Sequence, residues 1–212
     1  MCIRDRPGVV RVTDAVPLRA SILDLGCGNG LLASHLSGRG HTGAYVGIDT
    51  SPKLIEIARR QNIRNTEFHV ADLATPDWDA DIPKQGYDFI FCFAVLHHIP
   101  GHEMRVGMLR KVRSLMAKDG RFIHSNWQFL NSPRLTERIQ SWGTIGLDEE
   151  ALDENDYLLD WRRGGAGLRY VHAYTNMELH TLALQAGFRI RGLFVSDGVT
   201  ENLAVYHIWE PK

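Results

Sequence analysis

The stretch Ser21-Ile22-Leu23-Asp24-Leu25-Gly26-Cys27-Gly28-Asn29-Gly30 decides how this chain folds. An apolar run from Ile22 to Leu25 ends in three alternating glycines, and the amphipathic run Leu31 to Leu36 follows. That is the pattern of a strand, a tight turn and the start of a helix. Gly26, Gly28 and Gly30 remove Cβ atoms where the backbone turns sharply, so a ligand can come close to the main chain. The helix N-terminus beyond them offers unpaired N–H groups to an electron-rich ligand. The turn is therefore expected to hold a nucleotide-like cofactor.

Two cofactor classes compete for it. Gly28-Asn-Gly30-Leu-Leu-Ala33 fits the dinucleotide fingerprint G-x-G-x-x-G/A, with the acidic Asp49 following at the usual spacing of about 20 residues. Asp24 tips the balance. A carboxylate aimed into the turn repels a pyrophosphate but suits a ligand carrying an ammonium and a sulfonium. At about 4 Å and an effective dielectric of about 20 the difference in sign is worth about 4 kcal/mol either way. The whole string, apolar-Leu-Asp-Leu-Gly-Cys-Gly-Asn-Gly, resembles the first motif of the class I S-adenosylmethionine (SAM) methyltransferases. The resemblance implies SAM as cofactor, and Asp24, Gly26, Cys27, Gly28 and Gly30 as part of its site.

The rest of the chain continues the alternation. Ala44 to Ile48 reads as a buried strand ending at Asp49, and Thr50-Ser51-Pro52 opens a helix through Arg60, with Ser51 as N-cap. An acidic residue at the tip of a second strand is placed to accept hydrogen bonds from ribose hydroxyls. Glu67 to Ala71 is a third strand; Asp72 and Leu73 after it resemble the family segment that meets the adenine. Tyr87 to Phe93 is an almost continuous apolar run, as in a central strand covered on both faces. Ala94-Val95-Leu-His-His98-Ile-Pro100 resembles the segment beneath the sulfonium, and Thr50, Ala94 and Val95 join the implied cofactor residues. A helix over 103–117, a Lys118-Asp-Gly120 stop and a strand over 121–126 follow. Near the C-terminus, Thr175 caps a helix to Ala186, Gly187 ends it, and two strands over 188–195 and 203–209 predict an antiparallel hairpin at the sheet edge. The fold class is α/β: a doubly wound, mostly parallel seven-stranded sheet, Rossmann-like, with an antiparallel C-terminal strand, as the resemblance implies.

Length and composition set the bounds. The chain has 212 residues, 44% hydrophobic and 23% charged, ordinary for one globular domain. Its 24 basic and 25 acidic residues sum to −1, which argues for no charged partner in particular. No apolar run approaches the roughly 20 residues that span a bilayer, and no secretory signal is visible. The three cysteines, Cys2, Cys27 and Cys92, lack metal or disulfide spacing, which suits a reducing cytoplasm. Met-Cys-Ile-Arg-Asp-Arg at the start resembles the translated read-through of a sequencing adaptor. Native sequence is then expected from about Pro7, with an incomplete N-terminal lid over the cofactor. The domain reading is a short segment over 1–19 and a methyltransferase domain over 20–212, with 128–174 as a substrate-side insertion.

Within that insertion a helix is expected over 133–142, then an acidic stretch from Asp148 to Asp160. Asp156 to Trp161, Arg169-Tyr170-Val-His172-Ala-Tyr174, Glu178-Leu179 and Ala186-Gly187-Phe188 resemble the tRNA wobble-uridine carboxymethyl methyltransferases. That resemblance implies a carboxylate acceptor in tRNA and leaves room for a small accessory subunit. A carboxylate with a pKa of about 4 is already ionised and needs positioning rather than a base. Arg169 is expected to pair with it, Tyr170 and His172 to donate hydrogen bonds, and Trp161 or Tyr174 to stack on a splayed base. Arg105, Arg110, Lys111, Arg113, Lys118 and Arg121 are candidates for a phosphate-binding surface or a plain solvated face. His97 and His98 are base candidates for a protonated nucleophile. His97, His98 and His102 together do not complete a metal set, so no metal is expected. A small-metabolite acceptor is the alternative, and a non-catalytic partner protein with this fold is the alternative of another class.

Overall fold

The computed structural model describes residues 6–84, 86–161 and 167–212. A seven-stranded sheet runs β3-β2-β1-β4-β5-β10-β9, built from β1 (Ile22–Leu25), β2 (Tyr45–Asp49), β3 (Thr66–Val70), β4 (Tyr87–Phe93), β5 (Met116–Trp127), β9 (Phe188–Ser196) and β10 (Ala204–Pro211). Strand β1 lies parallel between β2 and β4, with Leu23 opposite Val46 on one side and Ile90 on the other. All four of its residues are buried, which is why it reads as an unbroken apolar run. Strand β10 runs antiparallel to both β5 and β9. The expected seven-stranded, mostly parallel sheet with an antiparallel C-terminal strand is the sheet observed.

Helices cover both faces. On one, α1 (Pro7–Thr13), α2 (Leu31–Gly38) and α3 (Pro52–Arg60) bury Val9, Leu36 and Ile55 against Phe91 and Tyr206. On the other, α4 (His102–Leu115) and α6 (Asn176–Gln185) bury Leu109, Val112 and Leu182 against Phe122 and Trp209. The caps read from sequence are present: the Ser51 side chain accepts from the Leu54 N–H, and Thr175 from the Glu178 N–H.

Two elements differ from expectation. Strand β5 begins at Met116, directly after α4, rather than after a Lys118–Gly120 stop. The pairing with β4 slips between Tyr87 and Phe89, so the polar residues 118–120 are taken up as an irregularity inside the strand. The helix expected over 133–142 is also shorter: α5 spans only Pro133–Thr136, and the chain then enters the two-residue strand β6 (Ile139–Gln140). Pairing with β7 (Asp156–Trp161) wins there, Ile139 opposite Leu159. Strand β7 also pairs antiparallel with β8 (Gly167–His172), which makes a second, three-stranded sheet. Phe129, Leu159 and Val171 form its own small core.

One buried arginine ties the two sheets together. Arg105, on α4 and 1% exposed, donates through Nε to the Ile99 carbonyl at 2.9 Å. Its Nη1 lies 3.1 Å from Asp153 and its Nη2 3.4 Å from Asp156. Asp156 also accepts from the Tyr170 hydroxyl at 2.6 Å and from His172 Nδ1 at 2.6 Å, while His172 Nε2 reaches Glu178 of α6 at 2.7 Å. Carboxylate oxygens only accept, so an imidazole N–H that meets one donates to it. Breaking such a buried network strands its carboxylates. Arg105→Met is therefore expected to cost about 3–5 kcal/mol in urea unfolding; a loss below about 1 kcal/mol would show that water replaces the guanidinium.

Candidate cofactor and acceptor site

The four parallel strands β1, β2, β3 and β4 end at one cavity of about 530 Å³, outside their carboxyl ends. The glycine turn forms its floor. Gly26 donates to the Ile48 carbonyl at 2.8 Å, and a Cβ there would fall 2.2 Å from Val95 Cγ2. Gly28, at φ +56°, has nothing within 4 Å of a Cβ position, so the backbone itself is the cavity wall. Gly30 is the N-cap of α2 and packs towards Ala58 of α3, off the cavity.

Asp49 fastens this turn to the tip of β2. Its Oδ2 accepts from the Gly28 N–H and its Oδ1 from the Ser51 N–H, both at 2.9 Å. Each oxygen keeps a second lone pair for a hydroxyl donor. Asp24, 3% exposed, accepts from the Tyr45 hydroxyl at Oδ2; Oδ1 has no protein donor among the described residues. Burial raises its carboxyl from 3.8 to about 7, opposed by the Tyr45 hydrogen bond and assisted by the Asp49 charge. A buried carboxylate paired with no cation among the described residues, beside a backbone cradle without side chains, fits a ligand with an ammonium group and a ribose. Thr50, Asp72 and Leu73 complete that wall; the Asp72 carboxylate is fixed by the Ala74 N–H at 2.9 Å. Cys27 lines the same floor, its thiol pushed far up by burial and by Asp24 and Asp49, so it is no nucleophile. Ala94 and Val95 close the far side. Ala94 sits at φ +58°, a left-handed conformation costing an L residue about 1–2 kcal/mol.

The acceptor side divides. His98 and Arg169 reach the cavity, and the Arg169 guanidinium stacks on Trp161 at 3.8 Å from the ring centroid. Trp161 itself lies behind Arg169 and off the cavity wall. Tyr170, His172 and Tyr174 must be corrected: none lines the cavity. Tyr170 and His172 spend their polar groups on Asp156, and Tyr174, 4% exposed, donates to the Leu96 carbonyl at 3.2 Å. They hold up the site from below. His97 is fully buried, stacked on Trp127, its imidazole driven well below the usual range by burial. His102 instead bonds Gln185 on the surface.

The proposed phosphate surface is likewise dispersed. Arg105 is interior, Lys111 pairs with Asp79, and Arg121 pairs with Glu210. Arg110 and Arg113 donate to the carbonyls of Gln185 and Gly187. Conversely, sequence reading missed Arg6 and Val9, which bring α1 to the cavity wall, and Phe93 at the end of β4. Arg6 belongs to the hexapeptide suspected of read-through; residues 1–5 lie outside the described set. The adjoining run 162–166 lies outside it too.

Residues 6–192 match the family described as "Methyltransferase domain". The chain belongs to the class I SAM-dependent methyltransferases. A trans-aconitate 2-methyltransferase of Methylobacterium radiotolerans is 34% identical over 119 residues, covering 55% of this chain and 42% of that relative. The chain spans about half the length of the curated relatives it matches. Among solved structures, a SAM-dependent methyltransferase from Clostridium acetobutylicum superposes with TM-score 0.70 at 13% identity, covering 100% of this chain and 92% of that one. The DhpI complex with SAM and HEP gives 0.68 at 23%, covering 97% and 85%. These two likenesses carry the methyltransferase fold.

Two outcomes follow for this methyltransferase. Asp49→Ala should weaken binding of S-adenosylhomocysteine by about 1–3 kcal/mol in calorimetry; unchanged affinity would refute the ribose assignment. Asp24 sets a pH dependence. Its folded value, about 7, lies above the unfolded 3.8, so between these the folded protein keeps a proton the unfolded chain has lost. Stability is withdrawn as pH rises through that window, by about 4 kcal/mol in full. An ammonium pairing with ionised Asp24 reverses the loss. The rise in Tm on adding S-adenosylhomocysteine should therefore be larger at about pH 8 than at about pH 6, and in Asp24→Asn the two should be equal.

Proposed function

We propose that this methyltransferase acts on a small acceptor bearing a carboxylate, with Arg169 as its anchor. When bound, SAM supplies an electrophilic methyl group on a sulfonium. Asp24 would hold the ammonium of its amino acid part, Asp49 the ribose hydroxyls, and Asp72 with Leu73 the adenine. The observation that carries the acceptor reading is Arg169 itself. It is a half-buried guanidinium on the cavity wall, pre-oriented by the Trp161 ring, with no carboxylate partner among the described residues. Burial pulls its pKa down from the ordinary value. An anion brought to it would relieve that cost through a bidentate, charge-assisted pair.

Size and charge favour a small acceptor over tRNA. The cavity is bounded on the acceptor side by His98 and Arg169, and the candidate phosphate contacts on α4 and β5 are largely spent within the protein. The relative from Methylobacterium radiotolerans is named for trans-aconitate, itself a carboxylate. Labelled SAM should be incubated in parallel with trans-aconitate, other small carboxylates and carboxymethyluridine-containing tRNA. Label in small carboxylates supports the reading; label in tRNA alone overturns it. Arg169→Gln should raise the acceptor KM by about 10- to 100-fold, the equivalent of about 1.5–3 kcal/mol for a charged hydrogen-bonded pair. Affinity for S-adenosylhomocysteine should stay within about twofold.

A further inference from the structure

The second residue on the acceptor side makes a different demand from Arg169. His98 Nδ1 lies 2.8 Å from the Tyr170 carbonyl oxygen. A carbonyl only accepts, so Nδ1 carries the hydrogen and donates it. Burial pushes the ring down to about 4, against the pull of that carbonyl and with the help of the Arg169 charge. The imidazole is neutral at physiological pH, and its tautomer leaves Nε2 with a bare lone pair. Among the described residues Nε2 has no hydrogen-bond partner, and the side chain stands on the cavity wall. Among the described residues, the rings packed against it are the buried, neutral His97 at 4.3 Å and Trp127 at 6.3 Å, centroid to centroid.

A guanidinium asks for an anion, whereas a bare ring nitrogen asks for a hydrogen-bond donor. A carboxylate cannot meet both, because it has only lone pairs to offer. Paired with Arg169, it is also a weakened nucleophile, its lone pairs already engaged. Resting on the carboxylate-bearing acceptor above, we propose that the acceptor is a hydroxy acid: its carboxylate sits on Arg169 as a handle, and its hydroxyl donates to His98 Nε2 and is the atom methylated. In the transfer, the hydroxyl oxygen forms the bond to the methyl carbon. The carbon–sulfur bond of the sulfonium breaks with its electron pair left on sulfur, and the hydroxyl proton passes to Nε2 and on to water. The two residues are coupled. The Arg169 charge depresses the basicity of His98, so a carboxylate that neutralises Arg169 makes Nε2 a better proton acceptor as the substrate arrives.

Two measurements test this. In nitrogen-15 histidine NMR, His98 Nε2 should appear unprotonated at neutral pH. The His98 titration midpoint should rise in Arg169→Gln, and rise in the wild type on saturating benzoate with S-adenosylhomocysteine present; a midpoint that moves in neither case overturns the coupling and the proposal with it. For products, 4-hydroxybenzoate and malate should be compared with benzoate and succinate, using labelled SAM. Alkali-stable methyl ethers on the hydroxy acids, with no transfer to their deoxy counterparts, are the expected result. Methyl esters, which release methanol in alkali, overturn this inference and leave the carboxylate-bearing acceptor standing. No transfer to any of the four overturns both. His98→Gln and His98→Phe should each lower kcat about 100-fold or more while S-adenosylhomocysteine affinity stays within about threefold. Retained kcat in both, with that affinity intact, overturns the role of His98.

Discussion

The acceptor half of this protein depends on one buried guanidinium. Arg105 holds the Ile99 carbonyl on the cofactor side and Asp153 and Asp156 on the side of the second sheet. Through Asp156 it fixes Tyr170, whose own carbonyl orients His98. Arg169 is the neighbour of Tyr170 on β8. The relative positions of the two acceptor-side residues are thus set by a network whose side chains, Arg105, Asp153, Asp156 and Tyr170, do not line the cavity. A buried ion cluster of this kind adds little net stability compared with an apolar packing of the same volume. Here its directional bonds specify how two separately paired sheets sit against each other.

The cofactor half was legible in the sequence because its information is local. Asp24, Gly26 and Gly28 fall within five residues of one another, and the Asp49 contact to the turn spans only 21 positions along the chain. Strand tips, tight turns and helix starts leave compositional marks that survive without any knowledge of distant partners. The acceptor half lacked that property. His98 meets Tyr170 across 72 positions and Arg105 meets Asp156 across 51. Arg105, on a helix rich in charge, reads as a surface residue until Asp156 is brought to it. Tyr170 and His172 sit beside Arg169 in sequence, yet the alternation of a strand sends them to other environments. The same long-range pairing cut the expected helix over 133–142 down to a single turn, because β6 finds β7.

Charge within the cavity is arranged in opposition. The cofactor end carries carboxylates, Asp24 and Asp49; the acceptor end carries Arg169 and an imidazole kept neutral. A cationic group and an anionic group entering together would each find the complementary end, and each would be repelled from the other. The cavity therefore encodes an orientation as well as an affinity.

The order of the sheet carries a further consequence, for how the chain is made. Strand β9 is completed before β10, yet β10 lies between it and β5. Until β10 emerges, β9 has no strand partner, and β5 ends the sheet with Phe122 and Ile123 uncovered on that side. Leu193 and Val195 of β9 are exposed even in the finished fold. The growing chain thus carries two unpaired apolar edges through one interval of synthesis, and a single strand closes both when it arrives. An unpaired apolar edge is a template for wrong pairing, and β10 removes two of them at once.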